Sequence, residues 1–139
     1  MSEPEECLRL HSEAEFAVME HFSEVVFLNP DVREVHQYQV DRCIFGDEDG
    51  KRCDWLINVH GNNLSVLVEL KGSDIDGAFE QLAETQRILV AIMRRDIVWI
   101  ISYSGSPRFN STIQLLILRA RREYKAKLRV EGSPYRHKL

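Results

Sequence analysis

Residues 53–71 read CDWLINVHGNNLSVLVELK. Two apolar runs flank His60-Gly61-Asn62-Asn63, a turn sequence that joins antiparallel strands. Turning the chain about the Gly61–Asn62 bond makes the numbers of facing residues sum to 123. Val59 then faces Leu64, Ile57 faces Val66 and Trp55 faces Val68, an apolar set that reads as the core side. The other side carries Asn58 with Ser65, Leu56 with Leu67, and Asp54 with Glu69. Facing residues put their Cβ atoms about 4.5–5.5 Å apart. The register therefore sets two carboxylates side by side at the open end of the hairpin, with Lys71 two residues on and pointing the same way.

Like charges facing each other across a ladder repel. A cation, a shared proton or a neighbouring base has to offset that repulsion. Two close carboxylates suit Mg²⁺ (or Mn²⁺), a hard ion that takes oxygen ligands and keeps several waters. Lys71 beside such an ion could orient or deprotonate an attacking water, or stabilise charge developing on a phosphate. The plainer alternative is an exposed face on which Lys71 simply neutralises Glu69.

Outward from the hairpin, residues 5 to about 28 read as a helix, with Leu8, Ala14, Val18, Met19, Phe22, Val25 and Val26 on one stripe. Asn29-Pro30-Asp31 ends it. Residues 37–45 (QYQVDRCIF) read as a first strand and 46–51 (GDEDGK) as a turn. After the hairpin, Ser73 or Asp74 caps a helix over about 74–95 with Ala78, Leu82, Leu89, Ile92 and Met93 inward. Residues 97–103 (IVWIISY) are apolar on both faces, as in a buried central strand. A second helix is expected over about 110–127, with Ile113, Leu116, Ile117, Ala120 and Tyr124 inward, and a short strand near 128–130. The order α-β-β-β-α-β-α describes one α/β domain over residues 1–139, a mixed central sheet flanked by helices.

Asp54, fourteen intervening residues, then Glu69-Leu70-Lys71 resembles the D-(x)n-(D/E)-x-K signature of the PD-(D/E)XK nuclease superfamily, with Cys53 where the signature has proline. That restriction-endonuclease-like core runs αβββαβ, the order expected for residues 5–104. The resemblance implies a metal-dependent nuclease in which Asp54 and Glu69 hold Mg²⁺ or Mn²⁺ and Lys71 positions the attacking water. Gln81-Leu82 is similar to the glutamine motif of RecB-type members, which implies Gln81 near the metal, although Thr85 stands where those members carry tyrosine. Many members add a glutamate from the first helix. Glu13, Glu20 and Glu24 lie opposite the apolar stripe, whereas Glu15 falls inside it. A carboxylate on a buried face needs a partner, so Glu15 is the expected third metal ligand, a salt bridge to an arginine being the alternative.

The composition, 44% hydrophobic and 29% charged, is that of a globular chain. No run approaches the ~18 apolar residues of a membrane span, and MSEPEECLRL is acidic where a signal peptide is basic. A cytoplasmic protein without a membrane partner is expected. Cys7, Cys43 and Cys53 show no metal spacing and are expected as unpaired thiols. The five histidines show no ligand spacing, and His60 reads as a turn residue.

Net charge is −4, yet residues 1–50 hold 13 acidic and 3 basic side chains while residues 119–139 hold 8 basic and 2 acidic. The basic helix surface of Arg119, Arg122, Lys125 and Arg129, with Arg121 and Lys127, is where a phosphate backbone would bind. DNA is favoured over RNA as substrate, and a homodimer is expected because a minimal core has little surface to grip a duplex. The competing reading is a catalytically inactive domain of the same fold that binds nucleic acid or a protein.

Overall fold

The computed structural model describes residues 5–20, 22–41, 43–45, 52–108 and 112–139. Along them run β1 (Leu8–His11), β2 (Glu15–Glu20), β3 (Ser23–Leu28), β4 (Val35–Gln39), β5 (Trp55–Val59), β6 (Leu64–Lys71), α1 (Ile75–Leu89), β7 (Asp96–Tyr103), α2 (Ile113–Tyr124), β8 (Ala126–Gly132) and β9 (Tyr135–Lys138). The turn expected over residues 46–51 lies outside the described residues, as do residues 110 and 111 of the second expected helix.

Six strands form a mixed sheet in the order β1-β4-β5-β6-β7-β8, and β2-β3-β9 form a second sheet. The β5–β6 register is the expected one: Trp55 faces Val68, Ile57 faces Val66 and Val59 faces Leu64. Both faces of this hairpin are buried, however, where a single core side was expected. Leu56 and Leu67 pack with Trp99 and Ile101 against Phe79, Leu82 and Leu116 of the two helices. Ile57, Val59, Val66 and Val68 pack against Phe16, Val18, Val25 and Phe27 of the small sheet. The result is three layers: helices, mixed sheet, small sheet.

The small sheet replaces the helix expected over residues 5 to about 28. Phe16 and Val18 point inward on β2, as Val25 and Phe27 do on β3, while Glu15, Ala17 and Met19 point to solvent. That is a strand alternation. Its apolar positions also satisfy a helical stripe over a short window, and no glycine, proline or asparagine marks the reversal. Glu20 pairs with Ser23, and the two-residue turn uses Phe22 at φ 64°, a conformation uncommon for a bulky residue.

Asp74, one of the two expected caps, starts α1 by accepting a hydrogen bond from Gly77 N at 3.0 Å. Lys125 ends α2 in the left-handed conformation and donates its N–H to Arg121 O. Leu116 and Ala120 are buried as expected, but Ile117 is 40% exposed. The basic run is therefore split. Arg119 and Arg122 lie on α2, Lys125 is its cap, and Lys127 and Arg129 alternate outward on β8.

Cys7 and Cys43 form a disulfide with Cα atoms 5.7 Å apart, and only Cys53 is a free thiol. The β1–β4 ladder, with Leu8 opposite Tyr38, brings their chain segments together, a pairing that spacing alone does not reveal. The bridge corrects the expectation of unpaired thiols for these two residues, and disulfides are rare in the cytosol. Among the described residues no helix is long and apolar enough to cross a membrane. Because the bridge closes a span of 36 residues, reduction should remove about 2–4 kcal/mol of stability. Urea unfolding with and without reductant measures this. Coincident curves would show that the bridge does not form.

Candidate functional site

β5 begins at Trp55, immediately after Asp54. Asp54 N donates to Val68 O at 3.0 Å, the residue that Trp55 already faces. Two residues against one is a β-bulge, a device that re-aims a side chain at the end of a ladder. The Asp54 carboxylate turns back on β6, and its Oδ2 accepts the Leu70 N–H at 2.8 Å. Asp54 and Glu69 are 4% and 2% exposed, and their carboxyl groups are hydrogen-bonded to each other. Lys71 Nζ lies 3.5 Å from Glu69 Oε2 and keeps about a fifth of its side chain in solvent. Glu69 Oε1 is buried without a hydrogen-bond partner.

The electrostatics follow from burial. Removing the Glu69 carboxyl from water raises its pKa, the Asp54 charge raises it further, and Lys71 opposes both less strongly, leaving it pushed up to about 9. A carboxyl raised that far keeps its proton at neutral pH. Cys53, fully buried, is also held well above the usual thiol range by burial and then by Glu69.

Helix α1 is fastened over this end of β5. Gln81 Nε2 donates to Arg52 O at 3.2 Å, and Thr85 Oγ1 accepts from Cys53 N at 2.9 Å while donating to Gln81 O. Gln81 Oε1 is buried without a hydrogen-bond partner. Asp54, Glu69 and Lys71 are thus brought together, with Gln81 anchored to the same stretch of β5. Glu15 is not among them. It sits exposed on β2 and pairs with Arg136 at 3.1 Å, because the segment that should have turned it inward is a strand rather than a helix.

The basic residues gather elsewhere. A groove of about 900 Å³ is lined by Arg95, Asp96, Arg121, Lys125, Lys127 and Arg129, among others. It lies at the starts of β7 and β8, whereas Glu69 faces Ile101 near the end of β7. Three to five residues of strand, roughly 10–17 Å, separate them. Arg119 is committed to Glu80 and Glu123 and stacks over Phe79. Arg122 is exposed on α2.

Comparison with known proteins gives no family-model match, no match among curated proteins and no match among solved structures. The site therefore has to be judged on its own chemistry.

A second constellation escaped the sequence. Glu34, His36 and His60 each offer a ligand atom, all within 4.8 Å of one another. The β4–β5 register, His36 opposite Asn58, creates it. With the residues between those strands of no fixed reading, the register could not be derived as it was across the short turn at Gly61.

The raised Glu69 carboxyl makes stability depend on pH. The folded chain keeps this proton from about pH 4.5 to about 9, while the unfolded chain releases it near pH 4.3. Stability contributed by the group is therefore complete below that range and falls as pH rises through it, on the order of 1 kcal/mol per unit. Glu69→Gln should flatten the slope and exceed the wild type in stability at pH 8, as read from urea midpoints at pH 6 and 8. Equal slopes would contradict the raised Glu69 carboxyl.

Proposed function

We propose that the chain is a metal-dependent phosphodiesterase of the PD-(D/E)XK type, acting on nucleic acid, DNA in preference to RNA. The observation that carries this reading is the orphaned oxygen of Glu69, buried beside Asp54 with a lysine ammonium 3.5 Å away. A buried acceptor without a partner is costly, and a cation that replaced the Glu69 proton would supply that partner and offset the second negative charge. The donor set is all oxygen, which fits Mg²⁺ or Mn²⁺ better than a softer ion. Asp54 and Glu69 would hold it.

When bound, such an ion supplies Lewis-acid polarisation of a phosphoryl oxygen and a bound water of lowered pKa. The rest is the chain's own work. Lys71 reaches from the buried pair to solvent, where its ammonium can hold an attacking water or a phosphate oxygen. Gln81 and Thr85 keep α1 seated on β5 and so fix the bulge that aims Asp54. The cation-lined groove supplies a surface for a polyanion further along the same sheet.

Among the described residues no α-helix precedes the β4-β5-β6 meander, a departure from the αβββαβ order. One observation favours a non-catalytic domain instead. Asp54 already has a structural task in closing the ladder at Leu70 N.

A cleavage panel of single-stranded, double-stranded and branched substrates with Mg²⁺ or Mn²⁺ separates the two. Metal-dependent cutting is expected, abolished in Asp54→Asn and reduced by about 10²-fold or more in Lys71→Ala, with metal binding by Lys71→Ala retained. A wild type that cuts nothing and gains no thermal stability from either ion is the non-catalytic domain.

A further inference from the structure

At the other end of the mixed sheet the antiparallel register of β4 and β5 gathers a different set of donors. Val35 faces Val59 and His36 faces Asn58. One step further, His60 N donates to Glu34 O at 2.9 Å, which sets Glu34 and His60 against each other with His36 alongside. The His36 and His60 rings have centroids 4.0 Å apart, and His36 Nε2 lies 2.9 Å from Glu34 Oε1.

We propose that Glu34, His36 and His60 form a binding site for one divalent transition-metal ion of the Zn²⁺ class, and that Arg94 occupies this site when the metal is absent. Two imidazoles and one carboxylate are the ligand set of a three-protein-ligand zinc centre, which leaves a fourth position for water. Mg²⁺ prefers oxygen ligands and gains little from such a set. The backbone of two paired strands fixes two of the donors, so little ordering is required on binding.

Arg94 Nη2 lies 2.8 Å from His60 Nε2. A guanidinium only donates, so Nε2 is the accepting nitrogen and supplies the single lone pair of the neutral ring. A metal needs that lone pair. Whichever nitrogen of His60 ligates, the Arg94 hydrogen bond must break first. The Arg94 backbone stays tied, its N–H donating to Ser65 Oγ at 2.6 Å, so only the side chain has to leave. A pocket of about 260 Å³, lined by Val59, His60, Gly61, Asn63 and Arg94, adjoins it. His36 is already set for the ion. Its Nε2 and Glu34 Oε1 converge, 2.9 Å apart, and the ion would replace the proton that joins them.

The site is separate from the carboxylate pair, so its test is independent of nuclease activity. Calorimetric titration of the full chain with Zn²⁺ should show one saturable equivalent that Mg²⁺ does not displace. His36→Ala and His60→Ala should weaken it at least about tenfold. Glu34→Gln, at an exposed side chain that cannot unfold the protein, should weaken it too. Arg94→Ala should tighten it several-fold, an effect no merely structural arginine would give. Absence of saturable Zn²⁺ binding, or binding that survives both histidine variants, overturns the site. Unchanged or weaker binding in Arg94→Ala overturns the competition.

Discussion

The β5–β6 ladder is buried on both faces, and the whole molecule is arranged around its register. In a strand with one wet face, a slip of one residue moves the apolar set into water. That penalty is missing here, because Leu56 and Leu67 are as dry as Ile57 and Val66. The polar residues set the register instead. Ser65 Oγ donates to Asn58 Oδ1 at 2.5 Å, Asn58 Nδ2 donates to Ile92 O, and Arg94 N donates to Ser65 Oγ. A slip would bury Asn58 against the small sheet with those bonds broken, at about 1–3 kcal/mol for each unsatisfied group. Asp54 and Glu69 close the other end in the same way.

That second polar lock is unlike the first. The amide and hydroxyl of Asn58 and Ser65 satisfy one another, whereas two carboxylates cannot do so without a proton or a cation. Burial makes the choice acute, since an ionised Glu69 beside Asp54 lies in a setting that screens charge poorly. The fold tolerates the pair by keeping Glu69 protonated and setting Lys71 beside it. A divalent ion at this pair would have to displace that proton, so its binding should strengthen as pH rises towards the Glu69 pKa of about 9.

Much of this was legible in residues 53–71. A two-strand segment with a glycine turn fixes its own pairing, so the register from Trp55–Val68 to Val59–Leu64 followed from the sequence, whereas the bulge that takes Asp54 off the ladder opposite Glu69 did not. α1 was legible from its stripe and cap, β7 from its unbroken apolar run. The N-terminal hairpin was not, because Phe22 occupies a turn that glycine or asparagine would ordinarily mark. Misreading it as a helix carried Glu15 towards a site it never reaches. Long-range pairings were equally hidden. Both the Cys7–Cys43 bridge and the Glu34–His36–His60 cluster depend on β4, whose partners on either side are set by tertiary structure.

The two candidate sites thus lie at opposite ends of the mixed sheet, oxygen donors where β6 finishes and mostly nitrogen donors where β4 begins. Burial beside Asp54 keeps the Glu69 carboxyl protonated at neutral pH. Carbon-13 NMR of the Glu69 side-chain carboxyl, followed from pH 4 to 10, measures it directly. The expected result is a carboxyl that stays protonated at pH 7 and titrates near 9. A carboxyl that titrates at the ordinary glutamate value, near 4.3, would contradict it.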